Sequence, residues 1–163
     1  MGDTSGDTDR LPEAEFAFPG PLRDRLVDAI LRGDKVSTTG LARSYALDAE
    51  PLPEPGQRFA VVDSSGRRVA VIEVTSVRVV ALKDVDLAHC LDEGEGYATV
   101  RAWRDSHEAF WRRVEVLAEL GGTAAIDDST PVVLERFRLV ARFEGTGGSD
   151  LPERQRSGAD LDI

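Results

Sequence analysis

The stretch Val69–Leu82 constrains the fold more than any other, because nearly every residue in it is apolar or β-branched on both faces of an extended chain. A strand of that kind is either covered on both sides or bent around a small barrel. Phe59–Val62 reads as a strand before it, joined through a hairpin turn at Ser64-Ser65-Gly66. Asp48–Gly56, upstream, holds three prolines and is a turn region with no place in a sheet interior. Lys35–Tyr45 has the hydroxyl and β-branched content of an irregular strand or wide loop.

Helices flank these strands. Gly20-Pro21 opens the first, with proline where its missing N–H costs nothing. Leu22, Leu26, Ala29 and Ile30 give that helix its buried stripe, and Gly33 ends it. Asp84 is a cap for a short helix through Cys90, and Thr99 for a longer one. In the latter, Val100, Trp103, His107, Phe110, Val114 and Leu117 recur at helical spacing, and Gly121-Gly122 stops it. Pro131 precedes a last strand with Val133, Phe137, Leu139, Ala141 and Phe143 mainly on one face, and Arg136, Arg138 and Arg142 on the other. The order predicts an α+β fold with a twisted or barrel-like sheet.

At 163 residues the chain has the length of one domain. Residues 1–19 and 145–163 read as largely disordered tails around a body at 20–144, with Phe16 and Phe18 as the residues that could dock onto that body. Of the net −10, about −4 sits in residues 1–20 and −3 in 144–163, leaving −3 for the body. That mild acidity weakens the case for life on polyphosphate backbones without excluding a local basic groove. Cys90 is alone, so no intramolecular disulfide forms, and no Cys/His pair has zinc spacing. With no apolar leader and no run long enough to cross a membrane, the expectation is a cytoplasmic protein.

Two polar stretches remain. Gly33-Asp34-Lys35-Val36-Ser37-Thr38-Thr39 places one amine and three hydroxyls just past a helix end, and Asp92-Glu93-Gly94-Glu95-Gly96 leads into the aromatic-rich helix. They read as halves of one pocket.

These residues resemble the ASCH domain family of the PUA-like superfamily, over roughly Leu22–Phe143. The entry motif Gly-x-Lys-x-x-Thr stands as Gly33, Lys35 and Thr38. The later signature stands as Glu93-Gly94-Glu95-Gly96, then Trp103-Arg104, His107 and Phe110. With Leu52-Pro53 and Gly56, the pattern looks most like the YhfF-type subgroup. It departs at Gly40-Leu41, where many members carry Arg, and at Tyr97, where the loop usually continues with Asp. The resemblance implies a small PUA-like β-barrel flanked by helices, with a cleft between them. It also implies a nucleoside-like ligand or short single-stranded RNA as partner. One small bacterial ASCH enzyme hydrolyses the amide of N4-acetylcytidine with a lysine, a threonine and a glutamate, roles that fall here on Lys35, Thr38 and Glu93. Another member is described as a ribonuclease.

Amide hydrolysis needs a nucleophile, a proton acceptor and a group to hold the oxyanion. A desolvated Lys35 could act as base, but an adjacent ionised Glu93 would keep it charged. If the two touch, Lys35 polarises the carbonyl and Glu93 takes the proton from Thr38 or from water, the pair titrating together. The structural alternative is a Lys35–Glu93 ion pair locking helix to barrel, with Thr38 bonded to backbone. Tyr45 and Tyr97, placed in loops beside the motifs, are stacking candidates, and Glu95 and Thr39 are further contacts. Trp103 and His107 either reach the pocket or serve the core, His107 by donating to backbone. Asp92, Glu93 and Glu95 either cage a hard cation or form a solvated loop; the acidic run lacks the EF-hand pattern, so neither metal nor cofactor is expected. Arg136, Arg138 and Arg142 either contact phosphates or line an exposed strand face.

Overall fold

The computed structural model describes residues 8–113 and 125–143, with Ala118 between them. Five strands make one sheet: β1 (Glu13–Ala14), β2 (Ser37–Leu41), β3 (Arg58–Val62), β4 (Arg68–Ala81) and β5 (Pro131–Arg142). Their order is β1-β3-β4-β5-β2, antiparallel except for the parallel pairing of β1 with β3. The helices are α1 (Pro21–Arg32), α2 (Ala42–Leu47), α3 (Leu87–Asp92) and α4 (Val100–Trp111). The fold is α+β, and its bent sheet does not close, β1 and β2 being its edges.

The doubly apolar stretch is β4. Its first half lies between β3 and β5, which buries Ala70, Val71, Ile72 and Val74. Register shifts at Val71/Ile72 and Val74/Ser76 bend it. Beyond the second shift it pairs with β5 alone, and Val79 is 50% exposed. Apolar content on both faces therefore reports cover on both faces for only half of this strand.

Local signals account for the helix ends. Pro21 opens α1, and Gly33, in the left-handed region at φ +82°, returns its N–H to the carbonyls of Ala29 and Ile30. Thr99 caps α4 by accepting from the N–H of Ala102. The cap of α3 is Asp86, which accepts from the N–H of His89 at 2.8 Å; Asp84 closes a 3-10 turn over Leu82–Asp84 instead. Leu26 and Ile30 of α1, Trp103 and Trp111 of α4, and Val61, Ile72 and Leu134 of the sheet meet in the core.

Two expectations change. Residues 8–19 hold to the body more widely than by their aromatics: β1 pairs with β3, Ala60 donates to the Pro12 carbonyl, and Ala17 is buried beside Phe16, one of the two residues expected to dock. The cause is Arg23, itself buried on α1, whose guanidinium donates to the carbonyls of Phe16 (3.1 Å) and Ala17 (2.6 Å) and lies 3.5 Å from Glu15. Tyr45 lies not in a loop but in α2, and is buried. Val114, Leu117, Gly121-Gly122, residues 1–7 and the C-terminal stretch 145–163 lie outside the described residues. Among those described, no helix is long and apolar enough to cross a membrane.

Candidate functional site

The backbone from Gly33 to Val36 is clamped on three sides. Asp34 and Lys35 donate to the Ala29 carbonyl, Val36 donates to the Asp92 carbonyl, and the Val36 carbonyl accepts from Phe137 of β5. Gly94 makes the second contact feasible. Its φ is +69°, and a Cβ there would lie 2.5 Å from the Asp34 carbonyl oxygen and 2.7 Å from the Lys35 nitrogen. Only glycine lets the acidic loop lie directly on the entry motif.

Lys35 is carried inward by that clamp and is 1% exposed. Its ammonium donates to the Ser37 carbonyl at 2.9 Å and approaches the Glu93 carbonyl at 3.5 Å, with the Phe16 ring 5.8 Å away. The amine therefore meets the main chain of Glu93. Its charge acts on three carboxyls, those of Glu93, Glu95 and Glu135.

Strand alternation sorts the hydroxyls that follow. Ser37 donates to the His89 carbonyl at 3.0 Å, and Thr39 donates to Glu93 Oε1 at 2.6 Å. Thr38, between them, points to the other face and lines a cavity. His89 Nε2 lies 2.7 Å from Thr39 Oγ1 and 3.2 Å from Glu93 Oε1. Since the Thr39 proton goes to Glu93, Nε2 of His89 must carry a hydrogen to donate. His107 has Nδ1 2.9 Å from the Trp103 carbonyl, an atom that only accepts, so Nδ1–H is the donor. Its Nε2 then stands 2.9 Å from Glu93 Oε2, close but off-line for a hydrogen bond, and neither atom has an aligned partner. Burial pushes the Glu93 carboxyl up, but His107, His89 and Lys35 together outweigh it and hold the group well below the usual carboxylate range. Glu95 moves the other way: burial raises it, Lys35 pulls it down, and the charge of Glu93 raises it again.

The remaining candidates have defined places. Trp103 is fully buried and stacks on His107 with ring centroids 4.2 Å apart. Tyr97, half-buried in the loop, donates to Ser106 Oγ at 2.7 Å and meets the edge of His107. Glu93, Glu95 and His107 could hold a cation, each offering one ligand atom within 4.8 Å of the others. The strand-face arginines are partnered: Arg136 with Asp92 at 2.6 Å and Arg138 with Glu73 at 3.1 Å.

The cavity holds about 240 Å³. Its rim is exposed at Pro51 and Gln57, and its depth is formed by Thr38, Tyr45, Phe16 and Ile72, all buried, with Glu135. A larger depression of about 470 Å³ lies beside Arg43, Ala125 and Thr130, and none of the candidate site residues lines it. Glu135 stands directly opposite Thr38 across the β2–β5 ladder. It is 7% exposed, and burial lifts its carboxyl to about 7, with Lys35 pulling the other way. Sequence reading passed over Glu135, although its parity with Val133 and Phe137 marks it as an acid on an apolar strand face. It also passed over His89, which stands four residues before Glu93.

The sequence model of the ASCH domain matches residues 15–141. The chain belongs to the ASCH domain family. Protein EF3133 from Enterococcus faecalis V583 shares the architecture at a TM-score of 0.69 and 23% identity, over 79% of this chain and 76% of that one. The ASCH domain from Lactobacillus crispatus JV V101 matches at a TM-score of 0.67 and 24% identity, over 84% of this chain and 86% of that one. At these identities the likeness speaks for the fold alone. Among curated proteins nothing matches. In this ASCH domain, then, the entry motif and the acidic loop meet at Lys35, while Thr38 and the Glu93 carboxylate belong to opposite faces of β2.

Proposed function

We propose that this ASCH domain is an amidohydrolase acting on a compact acylated nucleoside of the N4-acetylcytidine kind. The observation that carries the reading is the buried Lys35 ammonium, set among three carboxyls beside a cavity whose depth includes the Thr38 hydroxyl. From behind the cavity wall, a buried positive charge stabilises through space the negative charge that develops on an attacked amide oxygen. Thr38 is the nucleophile or orients the attacking water. Glu93 is buried, and its neighbours hold it well below the usual carboxylate range. Its Oε1 already accepts from Thr39 and is approached by His89, so the proton leaving Thr38 or water passes, on the cavity side of β2, to the departing amine nitrogen as the C–N bond breaks. Tyr45 bounds the ligand there. Glu95 and Tyr97 stay on the acidic-loop side with Glu93 and His107, outside the cavity lining, and Thr39, Trp103 and His107 hold Glu93 in place.

Incubating the purified protein with N4-acetylcytidine and following release of cytidine and acetate by chromatography tests this directly. Turnover that disappears in Lys35→Ala and Thr38→Ala is the expected result. No turnover of N4-acetylcytidine or related acylamides by the wild type would end the hydrolase reading. An RNA-binding or ribonuclease role in the same cleft has less support, since Arg136 and Arg138 are already paired with carboxylates.

A further inference from the structure

We infer that the cavity is a binding site for an unphosphorylated, neutral or cationic ligand bearing N–H donors, and that Glu135 is the side chain that contacts it. This rests on the proposed nucleoside-like substrate only for the identity of the three nucleoside probes.

Three observations converge. The first is an orphaned group. Among the described residues no hydrogen bond or ion pair reaches the Glu135 carboxyl, and only the more distant charge of Lys35 offsets its burial. A buried carboxyl without a partner is costly, and native structures retain few of them without a reason. The second is placement: Glu135 lies in the wall of the cavity, in cross-strand register with Thr38, so a ligand touching one hydroxyl meets the other's carboxyl. The third is charge. Glu13, Glu15, Glu50 and Glu135 all line this cavity, and its lining includes no lysine or arginine. Glu13 and Glu15 are compensated from behind by Arg68 (3.3 Å) and Arg23 (3.5 Å), but Glu50 and Glu135 are not.

Such a wall repels phosphate and accepts N–H. A carboxylate offers two acceptor oxygens, and a protonated carboxyl offers one donor beside one acceptor, which matches the edge of an amide, amidine or nucleobase. Phe59, Ile72 and Phe16 supply apolar sides for a flat ligand. A volume of about 240 Å³ is smaller than the clefts that take drug-sized molecules, roughly 300–1,000 Å³, so the occupant is compact.

The test is calorimetric titration of the full chain with cytidine, cytidine 5′-monophosphate, N4-acetylcytidine and benzamidinium, the last a flat cation unrelated to nucleosides. Benzamidinium and at least one unphosphorylated nucleoside are expected to bind, with the monophosphate at least tenfold weaker than cytidine. Glu135→Gln, which leaves side-chain volume unchanged, should weaken benzamidinium at least tenfold. Glu50→Gln should narrow the gap between cytidine and its monophosphate. The inference is overturned if no probe binds, if the monophosphate binds as well as cytidine, or if Glu135→Gln binds benzamidinium like the wild type. Turnover of N4-acetylcytidine with no dependence on Glu135 would remove this inference and leave the hydrolase. Glu135-dependent binding of benzamidinium without any turnover would do the reverse.

Discussion

Replacing Glu135 by glutamine should stabilise the protein, and by an amount that grows with pH. Burial raises the carboxyl from an ordinary 4.5 to about 7 in the folded state. A group whose folded affinity for protons exceeds its unfolded one favours folding below the unfolded value, and that contribution is lost as pH rises through the folded value. The wild type therefore loses stability from this site between about pH 4.5 and pH 7. The shift spans between two and three decades of proton affinity, so the loss is on the order of 3 kcal/mol, at about 1.4 kcal/mol per decade. Glutamine keeps the shape and titrates nowhere. The stability of Glu135→Gln minus that of wild type should thus be nearly constant below about pH 4, rise between about pH 4.5 and 7 and level off by about pH 8. For a chain of this length the gap corresponds to roughly 6–12 °C in Tm. Urea unfolding of both proteins from pH 4.5 to 8.5 measures it, because groups common to the two cancel in the difference. A difference that stays flat over this range, or shrinks with pH, would refute the view that Glu135 is a desolvated, uncompensated carboxyl.

Lys35→Met retains the apolar stem but leaves Glu93, Glu95 and Glu135 without their common cation; a loss of ~3–5 kcal/mol is expected in denaturant titration, the usual cost of removing one partner from a buried charge cluster. Gly94→Ala sets a Cβ 2.5 Å from the Asp34 carbonyl in a left-handed conformation, so its penalty should exceed ~2 kcal/mol. Gly96→Ala, also left-handed but with open space around it, should cost only about half as much, and urea midpoints of the two variants decide the comparison. The Cys90 thiol is buried and pushed up to about 12, chiefly by burial with Glu93 and Asp86 adding, so DTNB should react with it only at the rate of unfolding. Fast labelling of the native protein at pH 8 would contradict that burial.

What could be read along the chain was local. Pro21 and Gly33 bound α1 because one residue suits a first helical turn and the other a left-handed exit. Thr99 announces α4 through its own hydroxyl. The two polar stretches were recognisable as partners, and they do meet, through the backbone hydrogen bond from Val36 to Asp92 and the space left by Gly94. Position in space was a different matter. Residues 8–19 look loose by composition, yet Arg23 on α1 supplies the donors that hold them, a compensation no window of the tail itself contains. Asp84 and Asp86 are equally good caps by type, and only the direction in which the chain leaves β4 chooses Asp86.

The amino-acid order thus determined the kinds of element, the family and the stock of reactive groups, since those follow from propensities and spacings inside short segments. Tertiary structure decided which groups share a space. Successive residues of β2 point to opposite sides, so Thr39 reaches Glu93 while Thr38 faces the cavity, and that parity is set only when β2 docks between α3 and β5. The same docking turns Glu135 from one acid among many into the buried neighbour of Thr38. Desolvation depends on everything packed around a group, which is why no stretch of sequence carries it.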